Sequence, residues 1–163
     1  MRLFPLQPEH AGAVARLADH LYPSGFPLDA LAIAENLARL TPEESYCYGV
    51  EVDGELVAFM MAWLDTSQVE GWEEQQVVLV DDLCALPRHR RHTYTLLRKL
   101  DLELCARGVQ GIPLEGTHRL EADRLFTEHA AVVRRLGYER VAQHTFDSEH
   151  GERLVWTRYE GVR

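Results

Sequence analysis

The stretch from Val77 to Gly108, VVLVDDLCALPRHRRHTYTLLRKLDLELCARG, carries the one concentrated cationic cluster of the chain and most constrains how its middle can fold. An apolar, β-branched run comes first, and its continuity suits a central strand, Gln76 to Ala85, covered on both faces. Arg88, His89, Arg90, Arg91 and His92 follow without interruption. A helix is then predicted from Tyr94 to Arg107, with Leu96, Leu97, Leu100 and Leu104 on one face and Gly108 as its C-cap. A helix N-terminus presents unpaired amide N–H groups and the positive end of a dipole, so arginines just ahead of it make a site for a phosphate-bearing anion. The plainer reading is a solvated basic loop, which is what most charge runs are.

The cluster stands out because the chain is otherwise acidic, with a formal net charge of −9. An acidic surface repels phosphate backbones, which argues against nonspecific nucleic-acid binding and makes a cationic or neutral substrate the easier fit. At 163 residues the chain is expected to form one domain, 1–163, large enough to bury a core without disulfide or metal staples. The three cysteines, Cys47, Cys84 and Cys105, are widely spaced in strand-like or helical patterns and read as free thiols of a reducing compartment. With neither a signal-peptide core nor a run of about 18 apolar residues, the expected location is the cytoplasm, with no membrane partner.

Before the central stretch, Arg2 to Leu6 reads as a strand, a helix opens at Pro8 with Ala11, Val14, Leu17 and Ala18 at helical spacing, and Asp29 to Leu40 reads as a second helix after a break at Tyr22 to Gly25. Tyr46 to Val52 and Leu56 to Leu64 are β-rich and joined by Asp53-Gly54, the dipeptide suited to a type I′ hairpin turn, and Asp65 to Glu74 reads as a longer polar connection. After the central stretch come a short strand at Val109 to Leu114, a helix at Glu121 to Leu136 ended by Gly137, and two strands, Tyr138 to Phe146 and Arg153 to Tyr159. That order describes an α/β (α+β) protein built on one mixed sheet.

The element order, the hairpin at Val52-Asp53-Gly54-Glu55 and the segment Leu83-Cys84-Ala85-Leu86-Pro87 before a basic loop and helix resemble the GNAT superfamily of acyl-CoA-dependent N-acetyltransferases over nearly the whole chain. Gly137-Tyr138 is similar to the family's helix-ending Gly-Phe. The resemblance implies a single mixed, mostly antiparallel seven-stranded sheet flanked by about four helices. It also implies acetyl-CoA as co-substrate. In the family the pantetheine pairs with the edge of the fourth strand where it splays from the fifth, and the pyrophosphate lies on amides of a Q/R-x-x-G-x-G/A loop. Aligned on Pro87, Arg90 takes the Q/R place and Thr93 and Thr95 stand where the glycines belong; aligned on Leu96 and Leu97, Arg88 takes it and Arg91 and Thr93 do. The first register is preferred, giving Leu83, Cys84, Ala85, Arg90, Arg91, His92, Thr93, Tyr94 and Thr95 as cofactor-binding residues. Where the family often has a proton-donating tyrosine, four residues before the helix-ending glycine, this chain has Val133; His129, one turn earlier, is the substitute acid the sequence offers.

Asp81 and Asp82 fall late in the apolar strand, so one of them must face a buried surface or a cleft, where a carboxylate with a raised pKa could take a proton from an ammonium. Family members often carry a general base at this place. The competing reading is a strand-end pair bonded to loop amides, and Glu115, leaving the next strand, is the neighbouring candidate. His89 and His92 have no further ligands nearby to complete a metal site, Cys84 reads as a core thiol, and no G-x-G-x-x-G dinucleotide fingerprint occurs. Two functional readings follow: an N-acetyltransferase acting on a primary amine of a small molecule or peptide, or a GNAT-like module that binds CoA without transferring. A homodimer is left open.

Overall fold

Asp53 and Gly54 both take positive φ, 53° and 83°, as a type I′ turn requires, and join β2 (Tyr48–Val52) to β3 (Glu55–Thr66) with Val52 opposite Glu55. Asp53 is the one non-glycine residue with positive φ among the described residues. The computed structural model describes the chain apart from residues 22–28, 68, 110, 120–129, 149, 150, 152, 162 and 163. The break expected at Tyr22 to Gly25 and the candidate acid His129 therefore lie outside the described residues, as does the first part of the helix expected from Glu121.

The remaining elements are β1 (Arg2–Pro5), α1 (Ala11–Leu21), α2 (Ala30–Arg39), β4 (Gln76–Ala85), α3 (Arg91–Ala106), β5 (Leu114–Arg119), α4 (Ala130–Arg135), β6 (Tyr138–Asp147) and β7 (Arg153–Gly161). Asp29 caps α2, its carboxylate accepting from the Leu31 amide at 3.0 Å. Seven strands form one mixed sheet in the order β1-β2-β3-β4-β5-β7-β6. β1–β2, β2–β3, β5–β7 and β6–β7 are antiparallel, and β4–β5 is parallel. This is the mostly antiparallel sheet with about four helices that the sequence implies, and β4 is its middle strand.

Two boundaries differ from expectation. The short strand expected at Val109 to Leu114 begins instead at Leu114 and runs to Arg119. Gly108 and Gly111 take left-handed φ and Pro113 has no amide to donate, so the apolar segment before Leu114 turns rather than extends. α3 begins at Arg91, three residues ahead of the expected Tyr94, continuing a 3₁₀ turn at Pro87–His89.

The chain divides into two compact units, residues 1–63 with 82–100 and residues 64–81 with 101–163. In the first, Val14, Ala18, Tyr46, Val50, Phe59, Met60, Leu96 and Leu100 are buried, and Gly49 is a tight packing point, since an added Cβ would lie 2.8 Å from Phe4 and 2.9 Å from Leu56. In the second, Val77, Val78, Leu104, Leu114, Leu136, Val155 and Tyr159 are buried.

In the second unit, the parallel register of β4 with β5 covers Val78↔Leu114 and Leu79↔Glu115, whereas β5 pairs with β7 all along its length, from Leu114↔Tyr159 to Arg119↔Leu154. Just past the last parallel pair, a Cβ on Gly116 would lie 2.9 Å from the Val80 carbonyl oxygen. Backbone cannot yield as a flexible side chain can, so Gly116→Ala is expected to cost about 1–3 kcal/mol in urea denaturation, the usual range for forced overpacking.

Candidate functional site

The basic cluster is a pinned turn rather than a loose loop. The Leu86 amide donates to the Val57 carbonyl of β3 at 2.9 Å, fastening the end of β4, and the His89 amide donates back to Leu86 at 2.7 Å. Arg90 is already in right-handed helical conformation, φ −51° and ψ −30°, so turn and helix are continuous. Thr93 satisfies the Arg90 carbonyl twice, through its amide at 3.1 Å and its hydroxyl at 2.7 Å. Arg88, Arg90, Arg91 and Tyr94 are exposed, Leu83, Ala85 and Thr95 half-buried, and Cys84, His92 and Thr93 buried. Asp82 through Thr95 thus all belong to one compact unit, with the permanent charges outward at the start of a 16-residue helix.

These residues fit a phosphate-bearing cofactor. Glycine in such a loop serves positive φ and close approach; none of the residues from Leu86 to Thr95 has positive φ, so threonine here meets no backbone strain. The Thr93 side chain folds inward onto the Arg90 carbonyl rather than over the helix end. Leu96, Leu97 and Leu100, all buried, anchor the helix whose amides and dipole would face the anion.

The strand-end acids separate as the alternation of β4 demands: Asp82 is buried and Asp81 faces outward. Asp81 is open to solvent yet crowded by surrounding protein, and the resulting desolvation pushes its carboxyl above the ordinary aspartate range.

Glu115, fully buried in β5, is committed elsewhere in the second unit. Its carboxylate accepts from Arg158 Nη1 at 3.0 Å and from the Ser67 hydroxyl at 2.9 and 3.1 Å. Arg158 also donates to Glu160 at 3.0 Å and Gln75 at 2.6 Å, and its guanidinium lies 4.1 Å from the centre of the Trp72 ring. A carboxylate so occupied is a structural anchor for the segment between β3 and β4. Arg158 does leave a signal in the sequence, since an arginine inside Leu154-Val155-Trp156-Thr157-Arg158-Tyr159, an almost wholly buried strand, implies a buried acid to pair with. Val133, at the place of the family's tyrosine, is 8% exposed and offers no proton.

No protein-family model and no curated protein matches the sequence. Solved structures do match its fold. The ribosomal-protein-alanine N-acetyltransferase from Brucella melitensis superposes with a TM-score of 0.72 at 15% identity, over 100% of each chain. The chain has the GNAT fold. Two further structures agree: yncA from Salmonella typhimurium with its cofactor acetyl-CoA, TM-score 0.70 at 14% identity over 100% of this chain and 94% of that one, and Chaetomium thermophilum Naa20 in complex with a bisubstrate analogue, 0.70 at 13% over 99% and 87%. In chain order β4 is the fourth strand and α3 the third helix, with the turn at Pro87–His89 between them.

Proposed function

We propose that this protein is an N-acetyltransferase that moves an acetyl group from acetyl-CoA to a primary amine of a small molecule or peptide. The observation carrying this reading is the arginine-bearing turn running without a break into α3 at the end of the middle strand of a GNAT sheet. Bound there, acetyl-CoA supplies an acyl group activated as a thioester. Arg90 and the amides opening α3, with Arg91, His92, Thr93, Tyr94 and Thr95, hold the diphosphate. The amides of Leu83, Cys84 and Ala85 stabilise negative charge developing on the acyl oxygen. Asp81 or Asp82, directly or through water, takes the proton that the substrate ammonium must lose before its nitrogen attacks. His129 is the residue assigned to protonate the departing sulfur.

Arg90→Ala is expected to weaken CoA binding about tenfold or more, the scale of one charge-assisted contact, with the melting temperature nearly unchanged because the side chain is exposed. Unaltered affinity in calorimetry for both Arg88→Ala and Arg90→Ala would remove the phosphate assignment. The function itself is tested by CoA thiol release over a panel of primary amines and peptides. Buried Val133 in place of a phenol favours the rival, a CoA-binding module without transfer, and tight CoA binding with no release on any amine would establish that rival instead.

A further inference from the structure

We propose that the anion at the start of α3 is bound together with a proton, which His92, stacked on His89, takes up. The inference rests on the diphosphate assignment above for its natural ligand, but its physical basis is independent of that ligand's identity. His92 is the second residue of α3 and only 2% exposed, and among the described residues neither of its ring nitrogens has a hydrogen-bond partner. His89 Nδ1, in the turn before it, is buried without a partner as well. The two rings lie 5.7 Å apart, centre to centre, and 16° from parallel. Buried donors and acceptors are nearly always satisfied, so three orphaned nitrogens in one stacked pair, at the end of a helix that attracts anions, mark a place built for a charge that arrives later.

The charged groups acting on His92 are Arg91 of its own helix, His89 of the preceding turn, and the amino terminus ahead of β1. All three are cationic when charged. Burial first, then this cationic surround, pulls the His92 pKa below its ordinary value, so the free protein holds a neutral ring at pH 7. A bound dianion reverses the local potential and stabilises the imidazolium. The ring is sealed from water, so that field reaches it with little screening. Arg88, Arg90 and Arg91 supply the permanent charge of the site, and His92 supplies the part that titrates.

The sign follows from linkage. Because the His92 pKa is higher with anion bound than without, affinity rises as pH falls between those two values, by up to about tenfold per pH unit for one linked proton. The test is calorimetry of dephospho-CoA, whose diphosphate does not titrate near neutrality, in buffers of differing ionisation enthalpy. Alongside it, NMR follows the His92 ring through pH 6.0 to 7.5 with dephospho-CoA or sulfate added. We expect fractional proton uptake at pH 7 in the wild-type protein, its loss in His92→Gln, and an upward-moving His92 titration with either anion. Tight dephospho-CoA binding without proton uptake, or uptake unchanged in both His92→Gln and His89→Gln, overturns the proposal and leaves the acetyl-CoA reading standing. Conversely, if dephospho-CoA fails to bind but sulfate raises the His92 pKa, the proposal stands and the acetyl-CoA reading falls. A His92 titration that neither anion moves overturns the proposal without recourse to a variant that might fold poorly.

Discussion

Arg158→Met should lower the free energy of unfolding by about 3–5 kcal/mol, the range found when one partner of a buried ion pair is removed. Both side chains of the Arg158–Glu115 pair are 1% exposed, and the methionine would leave the Glu115 carboxylate in a dry interior with the Ser67 hydroxyl in place of a cation. Gln75 and the Trp72 ring would also lose the group they pack on, so the segment between β3 and β4 should loosen. The double variant Arg158→Met with Glu115→Gln should recover part of the loss, because it removes the stranded charge rather than restoring the pair. Urea denaturation at pH 7 reads both. A loss below about 1 kcal/mol in the single variant would mean that the pair is hydrated and does not anchor the sheet.

The same pair explains what the sequence conceals. Where local chemistry decides, the reading and the structure agree: Asp53-Gly54 must turn, Leu96, Leu97, Leu100 and Leu104 of α3 must face inward, and the β-branched run before the arginines takes the middle of the sheet. β5 is different. Its Glu115 and Gly116 look like a loop because neither has a strand former's side chain, and the strand runs through them because Arg158 and Ser67 satisfy Glu115 and Gly116 admits the Val80 carbonyl. Partners 43 and 48 residues away in the chain leave no periodic trace. The early start of α3 was missed for a related reason: its first turn carries Arg91 and His92 instead of a Ser, Thr or Asp cap, and the turn at Pro87–His89 organises the end in their place. The cationic cluster was legible as charge, but the burial of His92 was not, since five adjacent polar residues read as a solvated face.

Asp81→Asn should separate catalysis from stability more sharply than any other single change. In the proposed role of proton acceptor Asp81 must be ionised to work, so kcat/KM should fall as pH drops through its raised pKa. Asparagine cannot accept that proton, and turnover should drop about 10²-fold or more, the usual scale for a lost general base, with CoA affinity retained. Stability should move the other way. Desolvation raises the folded-state pKa above the unfolded one, so folding is penalised progressively as pH rises from the ordinary carboxylate range through the raised value, and fully above it. A neutral asparagine escapes that penalty, and the variant should melt no lower than the wild type at pH 7. Asp82→Asn is the contrasting case: its side chain is buried, so it should lower the melting temperature whatever it does to rate. Full turnover with an unchanged pH profile in Asp81→Asn would take the base role from that residue, and the same result in Asp82→Asn would take it from the strand end altogether.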